Sequence, residues 1–118
     1  METLTTEFMK QYEGCQVEIM HGNEMTADRH RCQIKTLEVR DAELHCEFEY
    51  VMKGSLGKPW VREPDTKPVA LSLAVCQWNG IGYGRFAISS GVLGEMWVFY
   101  PKNHNTRLLA DGTFIKDD

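Results

Sequence analysis

The sequence predicts a mainly β protein: a curved antiparallel sheet or small β-barrel of about eight strands, with one short N-terminal helix. Three observations predict it. Apolar and polar residues alternate with a period of two through much of the chain, the mark of half-buried strands. The dipeptides Asn79-Gly80 and Asp111-Gly112 separate apolar runs at hairpin spacing. No connection carries a crossover helix, so every neighbouring strand pair can be antiparallel.

The first element is the helix. Leu4, Phe8, Tyr12 and Cys15 recur at helical spacing, one of Thr3, Thr5 or Thr6 can cap the start, and Gly14 suits the position just past the end. About ten helical residues are marginal alone, so the apolar stripe must dock. After Gly14 the period changes: Cys15, Val17 and Ile19 alternate with Gln16 and Glu18, predicting a strand over about 15–21. Residues 22–29 read as a polar connection.

The next two strands, about 31–40 and 43–53, form a hairpin around Asp41-Ala42. Leu44, Cys46, Phe48, Tyr50 and Met52 share one face of the second strand, and Glu43, His45, Glu47 and Glu49 share the other. The first strand has a phase break, with Cys32 and Ile34 apolar at even positions and Leu37 and Val39 at odd ones. A one-residue slip would turn half of these to solvent, so a β-bulge near Lys35–Thr36 is predicted. With it, Val39 pairs with Leu44, Leu37 with Cys46, Ile34 with Phe48 and Cys32 with Tyr50. On the polar face Arg40 meets Glu43, Glu38 meets His45, and Arg31 and Lys35 lie near Glu47 and Glu49. Such a bulge bends the sheet.

Gly54–Pro68 is a long loop holding Trp60. Val69–Trp78 and Ile81–Ser89 then flank Asn79-Gly80, which predicts Leu73 opposite Phe86 and Leu71 opposite Ile88. The uncharged faces of 69–78 predict a central strand. Glu95–Tyr100 forms a strand with no polar face, and Leu108-Leu109 with Phe114-Ile115 forms a last hairpin.

At 118 residues the chain suits one domain, 1–118, and its 42% hydrophobic content supplies a single core. A formal net charge of −4 disfavours general nucleic-acid binding. No apolar run approaches the roughly 20 residues of a membrane helix. No secretory signal is visible, so the expected location is cytoplasmic and the four cysteines are expected to be reduced. Partners are expected to include neither nucleic acid nor membrane.

Chemistry-bearing motifs are sparse. Gly80-Ile81-Gly82-Tyr83-Gly84 lacks the strand-to-helix setting of a phosphate cradle. His21, His30 and His104 fall in expected turns without metal-ligand spacing. No serine stands in a nucleophile motif. No catalytic residue, metal ligand or cofactor is therefore assigned. Arg85, mid-strand among Ser72, Ala74, Ala87 and Ser89, offers a positive floor for an anionic head. The expected function is a non-catalytic binding module, a small barrel holding a small apolar or amphipathic ligand that can be anionic. Its mouth is placed near Trp60 and its polar handle at Arg85, Tyr83 or Tyr100. The alternative is a protein-interaction module, a homodimer or adaptor burying Trp97 and Phe99. A small enzyme with an acid–base site in the barrel mouth stands third.

Overall fold

The computed structural model describes residues 3–21, 28–54, 58–64, 66–102, 106–108 and 114–116, the last two segments and Asp28 as backbone only. Of the expected 22–29 connection, 22–27 lie outside the described residues, as does the Asp111-Gly112 turn, while 28 and 29 already belong to the strand Asp28–Arg40.

The protein is mainly β. Helix α1 (Thr6–Met9) continues as a 3-10 turn over Lys10–Tyr12. Strands follow as β1 (Gln16–His21), β2 (Asp28–Arg40), β3 (Glu43–Gly54), β4 (Val61–Arg62), β5 (Val69–Ser72), β6 (Gln77–Gly82), β7 (Arg85–Ser90), β8 (Glu95–Phe99), β9 (Thr106–Leu108) and β10 (Phe114–Lys116). One antiparallel sheet runs β4-β3-β2-β1-β8-β7-β6, with β5 also on β3; β9 and β10 pair as a separate hairpin. No helix among the described residues is long and apolar enough to cross a membrane.

The sheet is curved but not closed. Chain connectivity shows why it must curve. Between β5 and β6 lies only a short link through the 3-10 turn Leu73–Val75, yet they occupy opposite ends of the order β5-β3-β2-β1-β8-β7-β6. Six strand spacings of about 4.8 Å span roughly 29 Å when flat. The step from Ser72 to Gln77 covers at most about 18 Å. The two edges therefore bend toward each other, enclosing an inner face.

The bulge falls where the phase break places it. Thr36 pairs with Glu47 and Ile34 with Phe48, leaving Lys35 extra on β2. A second irregularity follows. Gln33 pairs with Tyr50, so Glu49 is extra on β3, and Cys32 meets Val51 rather than Tyr50. Each strand thus spends one residue, and Tyr50 turns to the outer face while Val51 turns inward.

The inner face carries the core: Val17, Ile19, Cys32, Ile34, Leu37, Leu44, Cys46, Phe48, Phe86, Ile88, Trp97 and Phe99 are all buried. The N-terminal segment closes one end of it. Thr5 caps α1, its side chain accepting from Phe8 N, and Gly14 takes the left-handed φ of +82°. Met9 and Tyr12 are buried, whereas Phe8 is 39% exposed, its ring edge-on to Phe86. The tightening into a 3-10 turn rotates the stripe away from Phe8. The same segment caps the edge of β2 beyond the end of β1. Thr6 Oγ1 accepts from Val39 N (2.8 Å) and donates to Val39 O (3.0 Å), and Glu13 Oε2 accepts from Leu37 N (2.9 Å). Side chains there satisfy backbone groups that a strand would otherwise pair.

The second hairpin departs from its sequence reading. The turn is at Tyr83-Gly84, both with positive φ (56° and 77°), and Asn79-Gly80 lies within β6. Trp78 faces Ile88 and Gly80 faces Phe86, so the expected Leu73–Phe86 and Leu71–Ile88 pairs do not form. Val69–Ser72 pairs instead with Glu43–Cys46 of β3, an edge position rather than a central one. Trp97 and Phe99 are also reassigned. They are 2% and 0% exposed and belong to the core, so neither lies on an interface surface. The side chains of β8 that point outward are Met96 and Val98.

The Asp41-Ala42 turn has φ of 54° and 59°, the left-handed pair of a two-residue hairpin. An alanine there is strained. Ala42→Gly is expected to stabilise the protein by about 0.5–1 kcal/mol, less than the strain itself because glycine also frees the unfolded chain. A raised denaturant midpoint at unchanged slope is the readout.

All four cysteines are free and buried. Burial pushes the Cys46 thiol up to about 12 and raises Cys32 further, with the neighbouring Cys46 adding to the effect. In the unfolded chain both ionise near the ordinary value. Their neutral burial therefore contributes stability in full below about pH 8.5, and that contribution falls as pH rises toward the folded-state values. The slope is about 1.4 kcal/mol per pH unit for each thiol. Urea midpoints are expected to drop between pH 8 and pH 10, and to drop less steeply in Cys46→Ala.

Candidate functional site

Beyond the buried core, the inner face opens into a cavity of about 290 Å³. Its floor is apolar, formed by Ile19, Cys32, Phe48, Val51 and Trp97, with Val69 of β5 at one side. Polar groups converge at its rim: His21, His30, Glu95, and from the segment after β4, Glu63, Thr66 and Lys67.

Strand register builds this site. On the β1–β8 ladder Ile19 is opposite Trp97 and His21 opposite Glu95; on the β1–β2 ladder Ile19 is opposite His30. Alternation puts all five side chains on the inner face. His21 Nδ1 lies 3.4 Å from Glu95 Oε1, and Trp97 Nε1 donates to Glu95 Oε2 at 3.1 Å. The His21 and His30 rings meet edge-to-face at 5.3 Å. Glu63 N donates to Val51 O (2.8 Å), tying the rim segment to β3. The Glu95 carboxylate thus lies against both the His21 ring and the Trp97 indole. Among the described residues no group of three or more His, Cys, Asp or Glu is placed to hold a metal ion.

The residues expected to bind a ligand lie elsewhere. Trp60 sits on the outer face, where the Arg31 guanidinium stacks 4.3 Å from its ring. Its indole occupies the space a Cβ on Gly54 would need, 2.5 Å from Trp60 Cδ2, so only glycine leaves it that seat. The cavity does not open near Trp60. Arg85 and Tyr100 are neighbours on the outer face, and burial raises the Tyr100 hydroxyl, with Glu18 adding and Arg85 opposing. Tyr83 is 88% exposed at the turn, 6.0 Å from Arg85, whose Nε donates to Gly82 O. Arg85 also lines a groove of about 930 Å³ between the N-terminal segment and β6–β7. The small residues expected around Arg85 are dispersed, because Ser72 and Ala74 follow β5 to the opposite edge of the sheet.

The outer face holds a second polar cluster. Glu18 is buried and pairs with Arg29 (3.4 Å) and Arg31 (3.5 Å), so Arg31 reaches across to β1. The expected Arg40–Glu43 and Glu38–His45 registers do form. The close ion contacts there run along each strand, Arg40 to Glu38 (3.8 Å) and His45 to Glu43 (3.7 Å). These are exposed or half-exposed pairs of small energetic weight.

No family model, curated protein or solved structure matches the chain.

Proposed function

We propose that the protein is a non-catalytic module that binds a small, largely apolar ligand in the inner-face cavity. One observation carries the reading: an apolar hollow of about 290 Å³ with a few polar groups gathered at its rim. Small-molecule sites have that composition, and this volume stands at the lower end of their range. The rim argues against an anionic head, since its carboxylates Glu63 and Glu95 outnumber its lysine, Lys67. The test is titration of isotope-labelled protein with benzofuran, a neutral bicycle. Amide shifts are expected at Ile19–His21, His30–Cys32 and Glu95–Trp97. Shifts confined to β6 and β7, or none at millimolar probe, overturn the reading.

Self-association is a second reading, favoured by the edge strand β6. Its sequence Gln77–Gly82 holds no charge and no proline, the usual guards of a free edge, and among the described residues it pairs only with β7. Sedimentation at tens of micromolar tests it: a monomer there ends the idea.

A further inference from the structure

The groove between the N-terminal segment and β6–β7 carries an inference that does not rest on the inner-face cavity. We propose that β6 receives an extended peptide of a partner protein as an added antiparallel strand, apolar at alternate positions and acidic at its N-terminal end.

The backbone comes first. β6 ends the sheet, and among the described residues it pairs only with β7. The far edge of an end strand offers N–H and C=O groups to any other extended chain. Two carbonyls of β6 take side-chain donors at exposed positions: Asn79 Nδ2 donates to Gly80 O (3.1 Å) and Arg85 Nε to Gly82 O (3.3 Å). Gly80 and Gly82 have no side chains, so a second backbone can approach closely.

The groove, about 930 Å³, sets the side-chain requirement. Its walls include Leu4, Phe8 and Tyr12 of the N-terminal segment with Trp78 and Phe86 of the hairpin. Phe8 is 39% exposed even with its ring 4.9 Å from that of Phe86. Gly80 lies opposite Phe86, on the face of β6 that carries Trp78. A Cβ at Gly80 would have only Arg85 O within 4 Å, at 4.0 Å, so the glycine leaves space there. An added strand continues this face, and its alternate side chains enter the groove. β6 of a second copy fills it poorly, since glycine follows Trp78 on the same face.

Charge fixes the end. Among the described residues lining the groove, Arg85 is the one that carries charge. Its bond to Gly82 O holds the guanidinium at the last residue of β6, and it makes no ion pair among the described residues. Alternation from Phe86 turns Arg85 outward, toward an outward-facing residue of the added strand. Antiparallel addition brings the N-terminal end of that strand beside Gly82. An acidic residue there completes a charge-assisted pair.

The probe is acetyl-Asp-Val-Thr-Phe-Thr-Val-Lys-amide, titrated into isotope-labelled protein. Amide shifts are expected over Gln77–Gly82 and at Phe8, with Ile19–His21 unmoved. Successive N–H groups of a strand point to opposite edges, so two N-methylated analogues test backbone pairing. One is methylated on the Val and Phe nitrogens, the other on the Thr nitrogens. One of them is expected to lose more than about tenfold in affinity and the other to stay within about threefold. Gly80→Val suits a strand and has space, so it is expected to keep the wild-type unfolding midpoint or raise it while abolishing binding. Replacing the probe's Asp by Asn is expected to weaken binding about twofold to fivefold in the wild type and not in Arg85→Gln. Methylated analogues that behave alike, full binding to Gly80→Val, or equal affinity of the Asp and Asn probes overturns the proposal. So does the absence of binding at millimolar probe; a dimer in sedimentation under those conditions then gives the edge to a second copy.

Discussion

Phe99→Ala is expected to destabilise the protein by about 3–5 kcal/mol, the range for truncating a fully buried aromatic ring. Phe99 is 0% exposed, and its ring lies 5.5 Å from Tyr12 and 6.2 Å from Trp97. It therefore joins the N-terminal segment to the sheet, and truncation opens a cavity between them that the rigid β1–β8 ladder cannot collapse. A domain of this size has a total stability of about 5–15 kcal/mol, so the variant sits near the edge of folding at room temperature. The loss is expected to be the same at one and at tens of micromolar protein, because the ring is covered by its own chain. A loss that vanishes on dilution would return Phe99 to an interface. A loss under about 1.5 kcal/mol would remove it from the core.

Glu18→Ala is expected to cost about 2–4 kcal/mol. Removing one partner of a buried ion pair leaves the other charge uncompensated, which is dearer than losing a surface pair. Here two cations lose a carboxylate that both approach. The Arg29 side chain is 43% exposed and can be rehydrated, which lowers the figure; Arg31, at 19%, cannot be rehydrated as easily. Arg31 also stacks on Trp60, so the loss is expected to alter tryptophan emission in the folded state. Urea denaturation of the variant and the wild type gives the number. A change within about 0.5 kcal/mol would mean that the pair is solvated and contributes no more than a surface bridge.

Much of the fold was legible because it is local. The β2–β3 hairpin declares itself through period and phase: a residue that must face inward at both ends of a strand forces an irregularity between them. Even so, the second irregularity at Glu49 was hidden, because Tyr50 and Val51 are both apolar enough to face inward and the pattern does not choose. The β6–β7 turn failed for a related reason. Asn79-Gly80 and Tyr83-Gly84 both supply two residues able to take positive φ, and local signals favour the former. The sheet decides otherwise. β3 has a free edge that Val69–Ser72 can pair, and moving the turn shifts the register by an odd number, which turns Trp78 inward onto Ile88.

The cavity rim was legible only as separate residues. His21 and His30 flank one connection, and Glu95 stands two positions before Trp97, a spacing that predicts a shared face. What brings them together is the β1–β8 pairing, between segments more than seventy residues apart, and no periodicity within either segment specifies it. Arg85 and Trp60 illustrate the converse. Each has the right chemistry for a ligand site, but β-strand alternation and the course of β5 leave them on the outer face.

The inner-face cavity is tested most directly by filling it. Val69 lines the cavity from β5, is 37% exposed, and tolerates a large β-compatible side chain without strain on the ladder. Calorimetric titration of Val69→Trp with benzofuran, at a melting temperature matching the wild type, is the measurement. Loss of detectable binding is the predicted result, because the added indole ring occupies the volume the ligand needs. Binding at wild-type affinity would contradict the assignment of the cavity as the site.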